Sequence, residues 1–554
     1  MHELKRLFAE KIATGLKRQS VTTPASWAKE YRVMSNPFPG KWTFKYHPWL
    51  KEMHETKAEK NIGQKAAQTG FTEWALNMTF FKIDIEDIDC LYILPSESDA
   101  SDFSSGRFDP ALELSPHLRN LFSDVRNVGH KRAGQNNLYV RGSRSRSKLK
   151  SIPCGFLVFD EVDEMLQANI TLAQERGSGQ QSLQVLMIST PTLDDFGINK
   201  EYKASTQEHF MFKCPHCSRR TEFVYPDCLV ITADKFTDPK IHESYYICKE
   251  CGGKLPHFDG NQVVKHEYLT TGIFVPSYSD RDIRGFTVNQ MYSSAVGGRP
   301  GNMAVAALKS ELDPTEATEF HNSKLGITYE APGSRVTDTE IENSIKNYTM
   351  GPNGNLKIVT MGVDVGKLIH FEIDGWYLPH TRTPGIEIND EAHCRLLYTG
   401  HVEDFNDLHK YIKNFGVWAV VIDRHPETRM AYQFATKYWG RILLCMYARG
   451  VNGKQIHISP EDELMVQVDR TSWLDLSLGR FRNRTIDLPK DVPSDYRKQI
   501  KEPVRVYGKD ADGNPVSRYV SINDDHYAHA RNYSELALPL AMSIGQSQDL
   551  EKVR

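Results

Sequence analysis

Two cysteine pairs carry the most specific chemistry in the chain. Cys214-Pro-His-Cys217 and Cys248-Lys-Glu-Cys251 are C-x-x-C knuckles with 30 residues between them. Each knuckle presents two thiolates on one tight turn, and two knuckles facing each other make a tetrahedral Zn²⁺ site. Four thiolates leave no open coordination position, so such an ion is structural; a redox pair or free thiols are the alternatives. Cys90, Cys154, Cys228, Cys394 and Cys445 read instead as small buried apolar residues.

A second set suits phosphate chemistry. Residues 65–72 read KAAQTGFT and run straight into the helical stretch EWALNMTFF. Lys65 and Thr72 bracket a loop whose N–H groups, from Ala66, Ala67, Gln68, Thr69, Gly70 and Phe71, suit phosphate oxygens. The pattern is not the standard G-x-x-x-x-G-K-[ST], because the lysine opens the loop, and an ordinary strand-to-helix turn is the plain alternative. Residues 156–164, FLVFDEVDE, add weight: a buried apolar strand delivers carboxylates to its C-terminal end, where α/β proteins bind ligands. There Asp160 would hold Mg²⁺, and Glu161 would orient and deprotonate an attacking water. The alternative is a solvated helix start that also carries Asp163 and Glu164. VLMISTPT ends in Ser189, Thr190 and Pro191, hydroxyls that can sense a terminal phosphate or simply close a turn. Trp42, Phe44, Tyr46, His47 and Trp49 offer a base-stacking ring among residues that are mostly core. Arg141, Arg144 and Arg146 form a basic run, either a solvated loop or a contact to phosphate of DNA or of a neighbour's nucleotide.

The third set is acidic. Asp364 lies in the apolar strand IVTMGVDVG, Asp423 ends the strand WAVVIDR, and Asp524 and Asp525 precede a helix in SINDDHYAHARNY. Carboxylates from two strands and a helix can converge on two Mg²⁺ or Mn²⁺ ions, a geometry that clamps the attacking and leaving oxygens in phosphodiester cleavage. Singly, each acid reads as a cap or an edge residue. His425, His526 and His529 flank the set and read as neutral surface histidines.

These residues need sheets to position them. From about Trp42 to Pro191 short apolar strands alternate with helical patterns, as in a parallel α/β sheet. After residue 356 a second run of strands begins, whose first three are close enough for meander connections, so that sheet is mixed. Residues 333–356 end in a Gly/Pro/Asn cluster that reads as a linker. At 554 residues the chain is long enough for three or four domains of about 150 residues each. Hydrophobic residues at 40% and charged residues at 25% are those of a globular protein that buries cores without disulfides. With 68 Lys+Arg against 71 Asp+Glu, any basic surface must be local. No apolar run approaches the roughly 18 residues that span a bilayer. Charges interrupt the N-terminus every two or three residues, so it is no signal peptide; Leu4, Leu7, Phe8, Ile12 and Leu16 mark an amphipathic helix. The sequence therefore reads as neither a membrane protein nor a secreted one.

In chain order these pieces resemble the large subunit of phage terminases, the GpA type, over roughly residues 35–540. The resemblance rests on KAAQTGFTEW, LPSESDASDFSSGRFDPALELSP, GFLVFDEVDEM, ISTPT, FKCPHCSRR with CKECGGKL, GFTVNQMYSS, FHNSKLGITYE, GVDV and VIDRHPETRMAYQFA. It implies a DNA-packaging motor, acting in the host cytoplasm, in which a P-loop ATPase pumps viral double-stranded DNA into a procapsid and a nuclease of RNase H-like fold cuts the concatemer. ATP with Mg²⁺ serves the first, and two Mg²⁺ or Mn²⁺ ions the second. Implied partners are a small terminase subunit, a portal protein and further copies in a ring. The resemblance implies Lys65 and Thr72 in an atypical Walker A, Asp160 and Glu161 in Walker B, Ser189–Pro191 as coupling motif, and Asp364 and Asp423 as nuclease acids. The sequence departs from the family at Gly366 and at His529, where relatives carry a polar residue and an acid. Asp525 is favoured as third ligand over Asp524 by its spacing to the helix.

The expected layout is an N-terminal helical segment (1–40), an ATPase core (41–207), a zinc-ribbon module (208–258), the rest of the ATPase domain (259–332), a linker (333–356), the nuclease (357–540) and a tail (541–554). Two rival readings are a repair helicase-nuclease and a non-catalytic zinc-ribbon DNA-binding scaffold.

Overall fold

The computed structural model describes residues 21–552, apart from 124, 150–151, 176–178, 180–181, 380–382, 384–386, 449, 452, 460 and 510–512, and without the side chains of 545–552. The amphipathic helix expected at residues 4–16 lies outside the described residues. Two compact units divide at Tyr329/Glu330.

The first unit is built on β1 (Lys60–Lys65), α1 (Phe71–Asp84), β2 (Cys90–Leu94), β3 (Asn136–Gly142), β4 (Phe156–Asp160), β5 (Gln184–Ser189), β6 (Glu208–Lys213) and β7 (Arg284–Val288). The strands lie in the order β6-β7-β1-β5-β4-β2-β3, each parallel to its neighbours. Every residue of β2 and of β4 is buried, which is why both read as unbroken apolar runs rather than alternating ones. Parallel strands put all their C-terminal ends on one edge, so Lys65, Asp160 and Ser189 arrive together.

The strand Glu208–Lys213, expected in the cysteine module, instead pairs within this sheet. The module is thus an insertion after β6, with its own small sheet of Leu229–Val230, Tyr245–Ile247 and Lys254–Leu255.

The second unit is a mixed sheet of β8 (Ile358–Val365), β9 (Ile369–Tyr377), β10 (His393–Val402), β11 (Ala419–Asp423), β12 (Ile442–Tyr447) and β13 (Asp462–Val468), followed by α2 (Arg470–Asn483), β14 (Ile486–Pro489) and the long α3 (His526–Lys552). β8, β9 and β10 form the expected antiparallel meander, while β11, β12 and β13 run parallel to β8. The stretch 333–356 is not a free linker: Asp338–Ser344 is a capped helix, and Ile345–Lys346 pairs with β14. Its Thr337–Glu340 capping box outweighs the Gly/Pro/Asn cluster that follows. The expected tail at 541 is part of α3, which continues to Lys552.

Alternation along β8 sorts its two faces. Val359, Met361, Val363 and Val365 join one core, whereas Thr360, Gly362 and Asp364 lie under α3. A Cβ at Gly362 would stand 1.9 Å from the Ala530 carbonyl oxygen, so only glycine lets α3 lie this close. Beneath the helix, fully buried Arg531 pairs with Glu372 and Asp374, and Arg480 Nε donates to Glu535 at 2.6 Å. Breaking one member of such a network costs about 3–5 kcal/mol, because its partner stays buried and unpaired. The network therefore fixes where the N-terminal turn of α3 stands over the sheet. Among the described residues no helix is long and apolar enough to cross a membrane.

Candidate functional site

The chain leaves β1 at Lys65, turns through residues 66–70 and enters α1. Gly70 caps the helix at φ 85°, and a Cβ there would meet Leu50 Cδ1 at 2.9 Å. Thr69 Oγ1 donates to the Ala66 carbonyl, and Trp49 Nε1 donates to the Thr69 carbonyl. Two expected phosphate donors are committed elsewhere: Ala66 N–H donates to Val288 O at 3.2 Å, and Ala67 N–H to Ser323 O at 2.6 Å. Among the described residues nothing accepts from the N–H groups of residues 68–72. These are the free donors at the start of α1, where an anion is favoured.

Lys65 Nζ lies 2.6 Å from Glu161 Oε1 and 3.9 Å from Asp160 Oδ1. Tyr92 OH donates to Asp160 Oδ2 at 2.7 Å, while Asp160 Oδ1 is buried without a hydrogen-bond partner. Burial lifts Asp160 to about 6 against the pull of Lys65, and the Thr72 hydroxyl faces the same carboxylate. An orphaned buried carboxylate oxygen beside a hydroxyl is an oxygen donor set that fits Mg²⁺.

Glu161 itself sits at φ 64°, a left-handed conformation uncommon outside glycine. Its N–H donates to Ile188 O at 2.9 Å, and Ser189 Oγ stands 3.5 Å from its Oε2. The hydroxyl that meets Glu161 is thus Ser189's; Thr190 makes no side-chain hydrogen bond among the described residues. Asp163 accepts from Thr192 N–H, Thr192 Oγ1 and Ile198 N–H, each at 2.7 Å, tying the end of β4 to the loop after β5.

Beside Glu161 opens a cavity of about 550 Å³ lined by Leu94, Phe103, Arg107, Arg144 and Glu164. Arg107 escaped the sequence reading because it lies in no basic run. It stands on a π-helical turn, Ser104–Phe108, inside a longer helical stretch, a deformation frequent at functional sites. Of the basic run, Arg144 reaches this cavity, whereas Arg141 donates to Val140 O and covers the Tyr139 ring. Arg146 is exposed at the start of a short helix. Among the aromatic candidates, Trp42, Phe44 and Trp49 are core. Tyr46 stacks on Phe38, and the His47 ring lies against Gly70, held neutral by burial that lowers it to about 4.

In the inserted module the two knuckles repeat one hydrogen-bond pattern. Ser218 N–H donates to Cys214 O at 2.9 Å, as Gly252 N–H does to Cys248 O at 2.8 Å. The four Sγ atoms of Cys214, Cys217, Cys248 and Cys251 lie within 4.8 Å of one another, a set that can hold a metal ion. The other five cysteines are buried.

In the second unit Asp364 and Asp423 end adjacent parallel strands on the face covered by α3. Burial raises Asp423 to about 6, with the Asp364 charge adding to it. His526 Nδ1 lies 2.8 Å from Asp364 Oδ2. Asp525 turns elsewhere: its Oδ2 accepts from Ser521 Oγ at 2.5 Å and lies 3.3 Å from His529 Nε2, and these contacts hold it down at about 2. Asp524 is exposed. The cysteines are the one set of three or more ligating groups within 4.8 Å among the described residues, so Asp364, Asp423 and Asp525 do not converge that closely. Of the flanking histidines only His425 is at the surface; His529 is buried and His526 half-buried. A period-two reading of the strands finds Asp364 and Asp423, but not which way the residues before a helix turn.

Residues 36–266 match the family model described as phage terminase large subunit gpA, ATPase domain. No curated protein matches the chain by sequence. Among solved structures, the HK97 bacteriophage large terminase is similar at 11% identity and TM-score 0.48, covering 95% of this chain and 99% of that one. The large terminase ATPase domain of a Thermus phage gives 11%, 0.31, 50% and 92%. The large terminase nuclease of thermophilic phage G20c gives 13%, 0.22, 35% and 95%. Likeness at these values carries no weight for function.

Proposed function

From the match of residues 36–266 to the family model of the ATPase domain of phage terminase large subunits, gpA type, we propose that the chain is an ATP-driven DNA-packaging motor that also cuts the DNA. The observation that carries the ATPase is the meeting at one sheet edge of Lys65, Asp160 and Ser189, from three parallel strands, with Thr72 of α1 and with Glu161 of the turn after β4. Residues 68–72 bind the phosphates through their N–H groups. Thr72 and Asp160 would hold Mg²⁺, which neutralises charge between the phosphates when bound. Lys65 stabilises charge developing on the transferred phosphoryl group, and Glu161 orients the attacking water and takes its proton. Because Lys65 and Glu161 pair with each other, the triphosphate has to draw the lysine away, and that frees the glutamate for water. Ser189, bonded to Glu161, relays the change to the loop after β5.

The four cysteines would hold Zn²⁺ and fold the inserted module. In the second unit, proposed as an RNase H-like endonuclease, Asp364 and Asp423 would hold Mg²⁺ or Mn²⁺, a pair of ions that supplies an activated water and charge neutralisation for phosphodiester cleavage. Double-stranded viral DNA is the substrate, with a small terminase subunit, a portal protein and further copies of the chain as partners in the host cytoplasm. The test is ATP hydrolysis and plasmid cleavage by the pure protein with Mg²⁺ and with Mn²⁺. Strand displacement by the protein alone would instead favour a helicase-nuclease.

A further inference from the structure

A π-helical turn, Glu319–Leu325, ends on Gly326 at φ 69° and lies against the phosphate loop. A Cβ at Gly326 would stand 2.9 Å from Ala66 N, so a glycine is what lets the segment seat there. Gln64 Nε2 donates to Gly326 O at 2.9 Å, and Ala67 N–H donates to Ser323 O at 2.6 Å.

Lys324 lies between these contacts. Its Nζ donates to Gln290 Oε1 at 3.2 Å, and Gln290 Nε2 donates to Ala67 O at 3.2 Å. Gln290 is buried just past the C-terminal end of β7, on the sheet edge where β1 delivers Lys65. One amide group thus separates the Lys324 ammonium from the loop. Among the described residues Lys324 makes no ion pair, and its other N–H groups have no acceptor. Burial pushes the ammonium below its ordinary value, against the charges of Glu319 and Glu316. A half-buried cation without a counter-ion, beside a loop of free N–H groups, is arranged to receive an anion.

Lys65 faces the other way. It pairs with Glu161 after β4, and β5 and β4 lie on one side of β1 while β7 lies on the other. The reacting phosphoryl group belongs with Glu161, so phosphate oxygens reached from the β7 side are those that do not react.

We propose that Lys324 binds the non-reacting phosphates of the nucleotide. The proposal rests on the ATPase reading of this unit. A contact made equally in the ground state and the transition state tightens binding without speeding the reaction. Lys324 therefore sets nucleotide affinity, while Lys65 and Glu161 set turnover.

The experiment is equilibrium binding of ADP, ATP and inorganic tripolyphosphate to the full-length protein with Mg²⁺, with steady-state ATP hydrolysis measured alongside. Lys324→Gln should weaken all three ligands by about 10- to 100-fold, the loss of a charged hydrogen bond. KM should rise in step while kcat stays within about threefold of the parent. Lys324→Arg, which keeps the charge, should hold affinity within about threefold of the parent. Parent-like affinity in Lys324→Gln, or a loss confined to kcat, overturns the assignment. So does an equal loss in Lys324→Gln and Lys324→Arg, which would make the side chain a packing element, or a loss for the nucleotides that spares tripolyphosphate. If the parent binds none of the three ligands and hydrolyses no ATP, the ATPase reading itself falls.

Discussion

Lys65 and Glu161 are 96 residues apart in sequence and meet with 2.6 Å between Nζ and Oε1. They end β1 and begin the turn after β4, strands separated in the sheet only by β5. Each thus occupies the other's charge, and under the proposed ATPase reading a bound phosphate would draw the lysine away and release the acid.

Lys65→Ala should abolish ATP turnover, since it removes the cation aimed at the transferred phosphoryl group. Glu161→Ala should lower turnover by about 10² to 10⁴ while nucleotide still binds. Steady-state hydrolysis with a separate nucleotide-binding measurement checks both. Unchanged turnover in Lys65→Ala would mean the lysine serves only the ion pair.

The cysteine module should hold one Zn²⁺ per chain. Cys214→Ser should release it and loosen the insertion, with β1, β4 and β5 and their site intact. Elemental analysis of freshly purified protein reads this directly, and metal-free protein with an unperturbed module would contradict it.

Asp163 gives a pH dependence of defined sign. Burial raises its carboxyl to about 6, above its ordinary 3.8. Between about pH 4 and 6 the native state binds more protons than the unfolded state, so this group's contribution to stability falls as pH rises through that window. Relative to Asp163→Asn, which cannot titrate, the parent should lose about 2 kcal/mol from about pH 4 to 6.5 and level off above about pH 7. Thermal unfolding of the two proteins across that range is the check; a relative gain with rising pH would contradict it.

Gly362→Ala should disturb the second unit alone. The added methyl meets the Ala530 carbonyl, so α3 must lift, at a cost of about 1–3 kcal/mol or more. DNA cleavage should fall, because the first turn of α3 moves off Asp364, while ATP hydrolysis persists. Equal loss of both activities would count against this account of the contact.

Much of this architecture is legible in residue pattern. Unbroken apolar runs such as CLYIL and FLVF announce strands covered on both faces, and Asp160, which ends the second, falls on the sheet's C-terminal edge by parallel topology. The knuckles are legible because two thiolates at that spacing fit one turn. Side-chain choices between neighbours are not. Nothing in KAAQTG says that Ala66 and Ala67 give their N–H groups to Val288 and Ser323, since those carbonyls come from more than 200 residues away. Nothing in DDHYAH says that Asp525 turns to Ser521 while His526 takes Asp364. Residues 333–356 mislead for a related reason: turn residues mark where a chain bends, not whether the segment before them packs.

The central claim is that one chain carries two separate chemistries. Paired ATPase and DNA-cleavage rates of the folded Glu161→Ala and Asp364→Ala proteins, with Zn²⁺ content checked first, test it most directly. Glu161→Ala should lose ATP turnover and keep cleavage, whereas Asp364→Ala should lose cleavage and keep turnover. Loss of both activities in folded Asp364→Ala, or cleavage retained in it, would contradict the account.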